Sequence, residues 1–246
     1  MRLGILSDIH ANREALAAVL ADLAGRDVDG LFILGDIVGY GPDPEWCVER
    51  VRALEASGAV VLRGNHDAAV LAPDSGMSSL ARVAIDWTRD RLSAEQAAYL
   101  AALPLTARRD DILFVHASAN RPEDWSYITA AHRAVGSFQA SDARVILCGH
   151  VHVPLLVTCD LTMTVRDHAL KVGLPVPLIR SRRWLAVVGS VGQPRDGVAQ
   201  AGYAILDTGR NELTFRRVPY DLAETLRKLR ASGLPGALAA RLEKGE

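Results

Sequence analysis

The sequence has very little cysteine and almost no lysine. Its 246 residues include three cysteines, at positions 47, 148 and 159, an odd number at wide spacing that excludes a fold built on disulfides. No C-x-x-C pair is present, so a zinc module held by thiolates is excluded as well. Only three of the 28 basic residues are lysine and the formal net charge is −1, so the composition gives no strong signal of nucleic-acid binding.

The sequence also lacks long hydrophobic runs. No uninterrupted apolar stretch approaches the roughly 18 residues of a membrane-spanning helix, so no membrane interaction is predicted. Residues 3–6 are typical of a core strand, which argues against a signal peptide and favours a cytoplasmic protein. With 49% hydrophobic residues the chain is expected to fold. Because no linker, charge block or repeat divides it, we expect residues 1–246 to form one domain.

Short apolar runs alternate with helical patterns along the first half of the chain. Strands are predicted over residues 3–6, 31–34, 59–62, 112–115, 145–147, 185–188, 203–206 and 213–218. Helix starts are indicated by three capping signals, Asp43 with Pro44, Ser93 with Gln96, and Asp221 with Glu224. Continuous apolar runs indicate strands that helices bury on both faces. We therefore predict an α/β (α+β) fold with two packed mixed sheets flanked by helices, in which residues 159–183 form either a hairpin or a long loop.

Metal-competent side chains follow the ends of five predicted strands. They are Asp8 and His10, Asp36, Asn65 and His66, His116, and His150 and His152. Since the strand ends of an α/β sheet form a common crevice, these residues are expected to converge. Residues two apart in an extended segment point to the same side, so Asp8 is expected to act with His10, and His150 with His152.

The chemistry of this set predicts two divalent ions. Carboxylate, imidazole and amide oxygen ligands without a thiolate suit Mn, Fe, Co, Ni or Zn. Even without His66, the seven remaining ligands are too many for one tetrahedral site and fit two ions that share a bridging carboxylate. Asp36 is the natural bridge because it stands alone between the two clusters. The identity of the ions stays open.

The ordered series of motifs resembles the calcineurin-like metallophosphoesterase superfamily. The resemblance rests on Asp8-Ile9-His10, Gly35-Asp36, Gly64-Asn65-His66-Asp67, His116 and Gly149-His150-Val151-His152. It implies a four-layer sandwich with a dinuclear centre. By that resemblance, one ion would be held by Asp8, His10, Asp36 and His152, and the second by Asp36, Asn65, His116 and His150. His66 would be a catalytic residue that faces the substrate.

The resemblance also implies a mechanism in which a hydroxide that bridges the two ions attacks phosphorus, while His66 protonates the leaving oxygen. In the protein-phosphatase branch an Asp and then an Arg follow the second motif, whereas Gly39 occupies the acidic position here. His66 therefore lacks that orienting carboxylate. The chain is more similar to the small prokaryotic phosphodiesterase-type branch than to a protein phosphatase or a symmetrical dinucleoside tetraphosphatase.

Two residues outside the motifs are candidate substrate contacts. Arg195 lies in a turn-rich segment, and its guanidinium matches phosphate oxygens. Asn12 either contacts a phosphate or caps the first helix. Residues 72–79 are a candidate lid, and Trp125 is expected to pack in the core.

We therefore predict a metal-dependent phosphoesterase that hydrolyses phosphodiester or phosphomonoester bonds of a small substrate. The alternatives are a nucleotide or dinucleoside-polyphosphate hydrolase, a phosphoprotein phosphatase and a non-catalytic metal-binding scaffold. A nuclease is disfavoured because the net charge of −1 does not indicate a basic groove. The sequence leaves the physiological substrate and the oligomeric state open.

Overall fold

The structure of the protein, a computed structural model, describes residues 1–72 and 76–246. The strands are β1 (Arg2–Leu6), β2 (Gly30–Ile33), β3 (Val60–Val61), β4 (Thr106–Arg109), β5 (Ile112–Val115), β6 (Val145–Cys148), β7 (Leu155–Cys159), β8 (Val165–Asp167), β9 (Pro175–Pro177), β10 (Arg183–Val187), β11 (Ala201–Asp207) and β12 (Glu212–Val218). The α-helices are α1 (Arg13–Ala24), α2 (Pro44–Ala56), α3 (Asn65–Ala69), α4 (Ser79–Arg89), α5 (Ala94–Ala102), α6 (Val135–Ala140), α7 (Leu222–Ala231) and α8 (Gly236–Lys244). The candidate lid includes residues 73–75, which lie outside the described residues.

The strands form two six-stranded mixed sheets, which confirms the predicted sandwich. The strand order is β3-β2-β1-β11-β12-β9 in the first sheet and β4-β5-β6-β10-β7-β8 in the second. Strands β1, β2 and β3 run parallel to one another, and β11 and β12 continue the sheet antiparallel. In the second sheet β5, β6 and β10 are parallel in the same way. Each sheet therefore contains three parallel strands, on one side of the first sheet and in the centre of the second, and the parallel strands of a sheet end at the same edge.

Apolar side chains between the two sheets form the main core. Phe32 of β2 stacks on Phe114 of β5 with ring centroids 3.8 Å apart, and Trp184 of β10 is buried in the same layer. Helices α1, α2 and α5 cover the outer face of the first sheet, where Leu16 and Val48 are fully buried. This double coverage explains why the strands are continuous apolar runs and not alternating ones.

Helices α7 and α8 form a C-terminal pair that packs on α4. Leu226, Leu238 and Leu242 share an apolar cluster with Ile85 of α4. Asp221 caps α7 as predicted, because its carboxylate accepts a hydrogen bond from the N–H of Glu224. The sequence analysis did not predict α8, which brings the C-terminal residues close to the strand ends.

Residues 159–183 contribute to both sheets. Strand β8 pairs antiparallel with β7, so the first part is a hairpin, whereas β9 pairs with β12 of the other sheet. Both strands have only three residues and little apolar character, which is why the sequence left this stretch open. Within the described ranges, no helix combines the length and apolar character needed to cross a bilayer. The cytoplasmic location and the single domain over residues 1–246 stay predictions.

Asp22 fastens α1 to the first sheet. Its carboxylate accepts hydrogen bonds from Arg26 at 2.6 and 2.7 Å and from Arg216 of β12 at 3.3 Å, and it also accepts one from the hydroxyl of Tyr203 in β11. The hydrogen bonds from Arg26 lower the pKa of Asp22 below its ordinary value, and the opposing effect of burial is smaller.

We expect Asp22→Asn to lower the free energy of unfolding by about 1–2 kcal/mol at pH 7, because charge-assisted hydrogen bonds are lost. The pKa of Asp22 is lower in the folded than in the unfolded chain. This stabilisation is therefore present above the unfolded pKa of about 3.9 and is lost as the pH falls through the folded value. Urea unfolding should show the gap to the wild type narrowing from pH 5 to pH 2, with the exposed Asp86→Asn as control. A gap that is constant over this range would contradict the assignment.

Candidate metal centre

The predicted motifs meet at the edge where the parallel strands of both sheets end. The first sheet and its loops supply Asp8, His10, Asp36, Asn65 and His66, and the second sheet supplies His116, His150 and His152. All eight side chains are buried. Burial of so many polar groups is unfavourable unless each finds a partner, so the arrangement requires an electrostatic explanation.

The backbone is left-handed at five of these residues. The φ angle is 56° at Asp8, 48° at His10, 55° at Asp36, 67° at His150 and 65° at His152. Residues other than glycine rarely adopt this conformation, which costs on the order of 1 kcal/mol or more each and clusters at functional sites. The N–H groups of Asp8 and His10 donate to the carbonyls of Gly35 and Asp36, at 3.0 and 2.9 Å. Asp8 and His10 meet as predicted, with Oδ1 and Nε2 3.8 Å apart, whereas His150 and His152 join different groups of candidate ligands. The prediction that extended backbone aligns each pair was wrong.

Two glycines make this close approach possible. A Cβ atom on Gly64 would overlap the carboxylate of Asp36, and one on Gly149 would overlap the side chains of Ser7 and Asp8. The glycines before Asn65 and His150 therefore leave room for a neighbouring carboxylate.

A first group contains Asp8, His10, Asp36 and His152, whose ligand atoms all lie within 4.8 Å of one another. Nε2 of His152 is 3.1 Å from Oδ1 of Asp8 and 3.0 Å from Nε2 of His10. Nε2 of His10 is 3.6 Å from Oδ2 of Asp36. This is the set that the resemblance implied for one ion.

The hydrogen bonds on the far side of the rings fix which nitrogen faces the group. Nδ1 of His10 lies 3.1 Å from the carbonyl of Val38, and Nδ1 of His152 lies 2.6 Å from the carbonyl of Gln193. A carbonyl only accepts, so each Nδ1 carries a proton, and Nε2 of a neutral ring would present its lone pair to the group. Both Nε2 atoms lie beside the carboxylate of Asp8, where the candidate ligand atoms converge. This convergence of acceptors favours a bound cation.

A second group contains Asp36, His116 and His150, and Asn65 adjoins it. Nε2 of His116 is 3.5 Å from Oδ2 of Asp36, 3.2 Å from Nδ1 of His150 and 3.2 Å from Oδ1 of Asn65. Nδ1 of His116 lies 2.9 Å from the carbonyl of Leu34, which orients the ring as in the first group. Asp36 belongs to both groups, in the place predicted for a bridging carboxylate.

The pKa values favour ligand-competent forms of Asp36, His10 and His150, but not of His116. Burial alone would raise the pKa of Asp36, but the neighbouring His116 and His66 hold it well below its ordinary value. Burial lowers the pKa of His150 to about 3 and that of His10 well below its ordinary value. For His116, burial lowers the pKa, but Asp36 outweighs this and raises it to about 9. An ion in the second group would therefore displace a proton from His116.

His66 lies beside the centre and has no carboxylate partner. Its ring packs against Tyr40, with centroids 4.5 Å apart, and its buried Nδ1 has no hydrogen-bond partner within residues 1–72 and 76–246. A Cβ atom on Gly39 would overlap this nitrogen, so any side chain at position 39 would displace the ring. Burial lowers the pKa of His66 to about 4, which leaves the imidazole neutral at pH 7.

Asp67 has a role that the sequence analysis missed. Its buried carboxylate accepts four backbone N–H bonds, from Asp36 at 2.8 Å, Ile37 at 2.9 Å, Val38 at 3.3 Å and Gly64 at 2.9 Å. It thereby ties the loop after β2 to the loop after β3. Asp67 belongs to the Gly64-Asn65-His66-Asp67 motif, which could have indicated its importance. The sequence analysis assigned functions only to Asn65 and His66 of that motif.

An open cleft of about 580 Å³ borders the centre. Its walls include Asn65, His66, His150, Tyr40, Trp125, Tyr127, Arg195 and Arg241. Arg195, a candidate substrate contact from the sequence, therefore lies at the wall of this cleft. The prediction that Trp125 packs in the core was wrong, because Trp125 lies at the wall of this cleft. It follows the 3₁₀ helix Pro122–Asp124 and has a left-handed backbone, with a φ of 52°. The rings of Trp125 and His116 meet edge to face. Tyr127 and Arg241 were not predicted.

Asn12 acts as the cap of α1. Its Oδ1 accepts a hydrogen bond from the N–H of Ala15 at 3.1 Å, and its Nδ2 donates to the carbonyl of Gly192 at 2.9 Å. The side chain is buried and both amide atoms are engaged within the protein. This geometry favours the capping alternative and disfavours the predicted substrate contact.

Comparisons with known proteins identify a family and several related chains. The calcineurin-like phosphoesterase superfamily domain matches residues 1–211. An uncharacterized protein of Methanocaldococcus jannaschii is 35% identical over 249 residues, which cover 99% of this chain and 98% of that protein. The crystal structure of a metallophosphoesterase from Sphaerobacter thermophilus is 43% identical, with a TM-score of 0.88 and complete coverage of both chains. A symmetrical bis(5'-nucleosyl)-tetraphosphatase of Chromohalobacter salexigens is 36% identical over 138 residues, which cover 54% of this chain and 48% of that protein.

Proposed function

Because this chain belongs to the calcineurin-like phosphoesterase superfamily, we propose that it is a hydrolase that cleaves phosphoester bonds of a small substrate with two divalent metal ions. The ions would be Mn, Fe, Zn, Ni or Co, which suit carboxylate and imidazole ligands. Phosphodiesters are the leading substrates and phosphomonoesters the second.

The observation that carries the proposal is the pair of opposed imidazole lone pairs. His10 and His152 face each other across 3.0 Å, and the proton of each ring is used on a backbone carbonyl. Between two neutral rings this arrangement is repulsive unless a cation lies between the nitrogens. It therefore supports a metal-binding centre, and the hydrolysis assay below separates an enzyme from a non-catalytic metal-binding scaffold.

The residues divide into ligands and substrate-facing groups. Asp8, His10, Asp36 and His152 would hold one ion, and Asp36, Asn65, His116 and His150 the other. When bound, such ions polarise phosphoryl oxygens and lower the pKa of water at the site, which supplies the nucleophile at neutral pH. Asp36 keeps the two groups at a fixed separation, and the carbonyl contacts of the imidazoles fix the direction of each ligand.

His66 and Arg195 would contact the substrate. Arg195 supplies a positive charge for phosphate oxygens that do not lie at the centre. His66 lies at the cleft wall beside Asn65, where its imidazole can hydrogen-bond to the substrate or to the leaving oxygen. Its unpartnered Nδ1 means that no carboxylate reinforces it as a general acid.

A nucleotide or dinucleoside-polyphosphate hydrolase is the second candidate. The relative from Chromohalobacter salexigens is named a symmetrical bis(5'-nucleosyl)-tetraphosphatase, and this chain spans about half of its length. The aromatic residues of the cleft, Tyr40, Trp125 and Tyr127, favour a substrate with a planar group.

The test is metal-dependent hydrolysis of paired chromogenic substrates. Protein stripped by a chelator is supplied separately with Mn, Ni, Co, Zn or Mg, and bis(p-nitrophenyl) phosphate and p-nitrophenyl phosphate are offered. We expect negligible turnover of the stripped protein and recovery of at least about 100-fold with one or more ions, at a stoichiometry of two ions per chain. Full activity after stripping would contradict metal dependence. Protein that holds two ions and cleaves neither ester would favour the scaffold.

A further inference from the structure

The cleft beside the centre has two arginines on its walls. Arg195 comes from the loop before β11, and Arg241 comes from the last α-helix, α8. Helix α8 lies beyond residues 1–211, so Arg241 is a feature of this chain outside the matched superfamily domain. The two segments are joined, because the N–H of Gly197 donates to the carbonyl of Gly245 at 2.9 Å.

Neither arginine is neutralised by a carboxylate of the described chain. The guanidinium of Arg195 donates to Oε1 of Gln193 at 2.7 Å and lies 5.7 Å from the centre of the Tyr40 ring. Arg241 is exposed, and within the described ranges its side chain has no hydrogen-bond or ion-pair partner. Among the described residues of the cleft wall, the carboxylate outside the centre is Asp124, which is paired with Arg121 at 3.1 Å. The two arginines therefore place positive charge beside the centre, as a polyanion requires.

Another part of the cleft wall presents an aromatic surface. The ring of Tyr127 stacks on the imidazole of His150, with centroids 4.0 Å apart and planes 25° apart. Tyr127 is nonetheless 55% exposed, so the stacking leaves part of its surface open. A planar heterocycle can stack on such a surface. The volume of about 580 Å³ lies in the range typical of sites for ligands of nucleotide size.

We propose that the cleft binds a nucleotide with at least two phosphates in anhydride linkage, with Arg241 and Arg195 on the phosphate that is not attacked and Tyr127 on the base. The proposal rests on the proposed phosphoesterase function of the same centre. In the reaction, the oxygen of water bonds to the attacked phosphorus and the P–O bond to the bridging anhydride oxygen breaks. The electron pair of that bond remains on the departing phosphate, and the protons of water pass to solvent.

Binding of α,β-methylene-ADP and AMP, measured by calorimetry on the metal-loaded protein, tests the role of Arg241 without turnover. The methylene analogue has the second phosphate and resists cleavage. We expect it to bind the wild type at least about 10-fold more tightly than AMP, and Arg241→Ala to remove that preference. Arg227→Ala, an exposed arginine on α7 that is paired with Glu224, is the matched control and should keep the preference. An unchanged preference in Arg241→Ala, or no preference in the wild type, would overturn the proposal.

A second measurement separates the base from the phosphates. Tyr127→Leu is expected to weaken binding of the methylene analogue about 10-fold more than binding of pyrophosphate, and Tyr127→Phe is expected to restore it. An equal loss for both ligands would mean that Tyr127 acts only through His150, and would overturn its role as a base contact. If neither the chromogenic esters nor ADP is hydrolysed while the binding preference holds, the proposed hydrolase is wrong and the nucleotide site stands.

Discussion

Asp36→Asn is expected to lower kcat/KM for bis(p-nitrophenyl) phosphate by at least about 10³-fold. Oδ2 of Asp36 lies 3.6 Å from Nε2 of His10 and 3.5 Å from Nε2 of His116, so this one carboxylate serves both groups. Its replacement by an amide removes a negative charge from between two cations, and a loss of about 4 kcal/mol in transition-state stabilisation corresponds to this factor. Metal analysis of the dialysed variant should find less than one ion per chain.

The control for this experiment is Asp142→Asn. Asp142 is 80% exposed and pairs with Arg108 far from the strand ends, so hydrolysis and metal content should match the wild type. The circular dichroism spectrum of Asp36→Asn should also match, because the substitution keeps the size of the side chain. An Asp36→Asn variant that holds two ions and retains more than a tenth of the activity would contradict the shared-ligand role.

Asp67→Asn is expected to lower the free energy of unfolding by about 3 kcal/mol. The carboxylate accepts four backbone N–H bonds in a fully buried site. An amide keeps one acceptor and turns an NH₂ group towards donors, which leaves buried groups unpaired at about 1–3 kcal/mol each. Urea unfolding of metal-free protein measures the loss without a contribution from bound ions.

The same substitution should also reduce hydrolysis by about 10–100-fold in variant protein that is still folded. The reason is that the N–H groups of Asp36 and Val38 lose the acceptor that fixes the loop holding Asp36. The expected signature is weaker metal binding, so excess metal should recover part of the activity. A variant whose unfolding free energy lies within about 0.5 kcal/mol of the wild type would contradict this account. Asp142→Asn again serves as the control.

The sequence predicted the sandwich and the convergent residues because both depend on local signals. Each ligand directly follows a short apolar run, and parallel strands bring such positions to one edge without any knowledge of distant contacts. Extended backbone was the wrong reason for the pairing of Asp8 with His10, because φ is 56° and 48° at these residues. The residue types do not show these angles. Glycine is the strongest sequence signal of left-handed backbone; Asp and His adopt it more often than most other residues, but too rarely to predict it at a given position.

The walls of the cleft could not be predicted in the same way. Trp125 and Tyr127 lie in an irregular loop in which no periodicity relates a side chain to a face. Arg241 is one of 25 arginines, and its position depends on how α8 packs against α4 through Leu238 and Leu242. Long-range packing of this kind leaves no mark on local sequence. Asp67, in contrast, lies within a recognised motif, and the sequence lacked only the identity of the backbone N–H groups that its carboxylate binds.

The division of the ligands between the two sheets has a consequence for unfolding. Asp8 and Asp36 are anchored to one sheet, and His116, His150 and His152 to the other, so a bound ion would clamp the two halves of the main core together. The sheets could not separate without releasing the ions. The free energy of unfolding would therefore increase with the free ion concentration. A free ion concentration 100 times the dissociation constant adds about 2.7 kcal/mol per site. The melting temperature, measured at increasing metal concentrations, therefore reports the occupancy of the centre and requires no substrate.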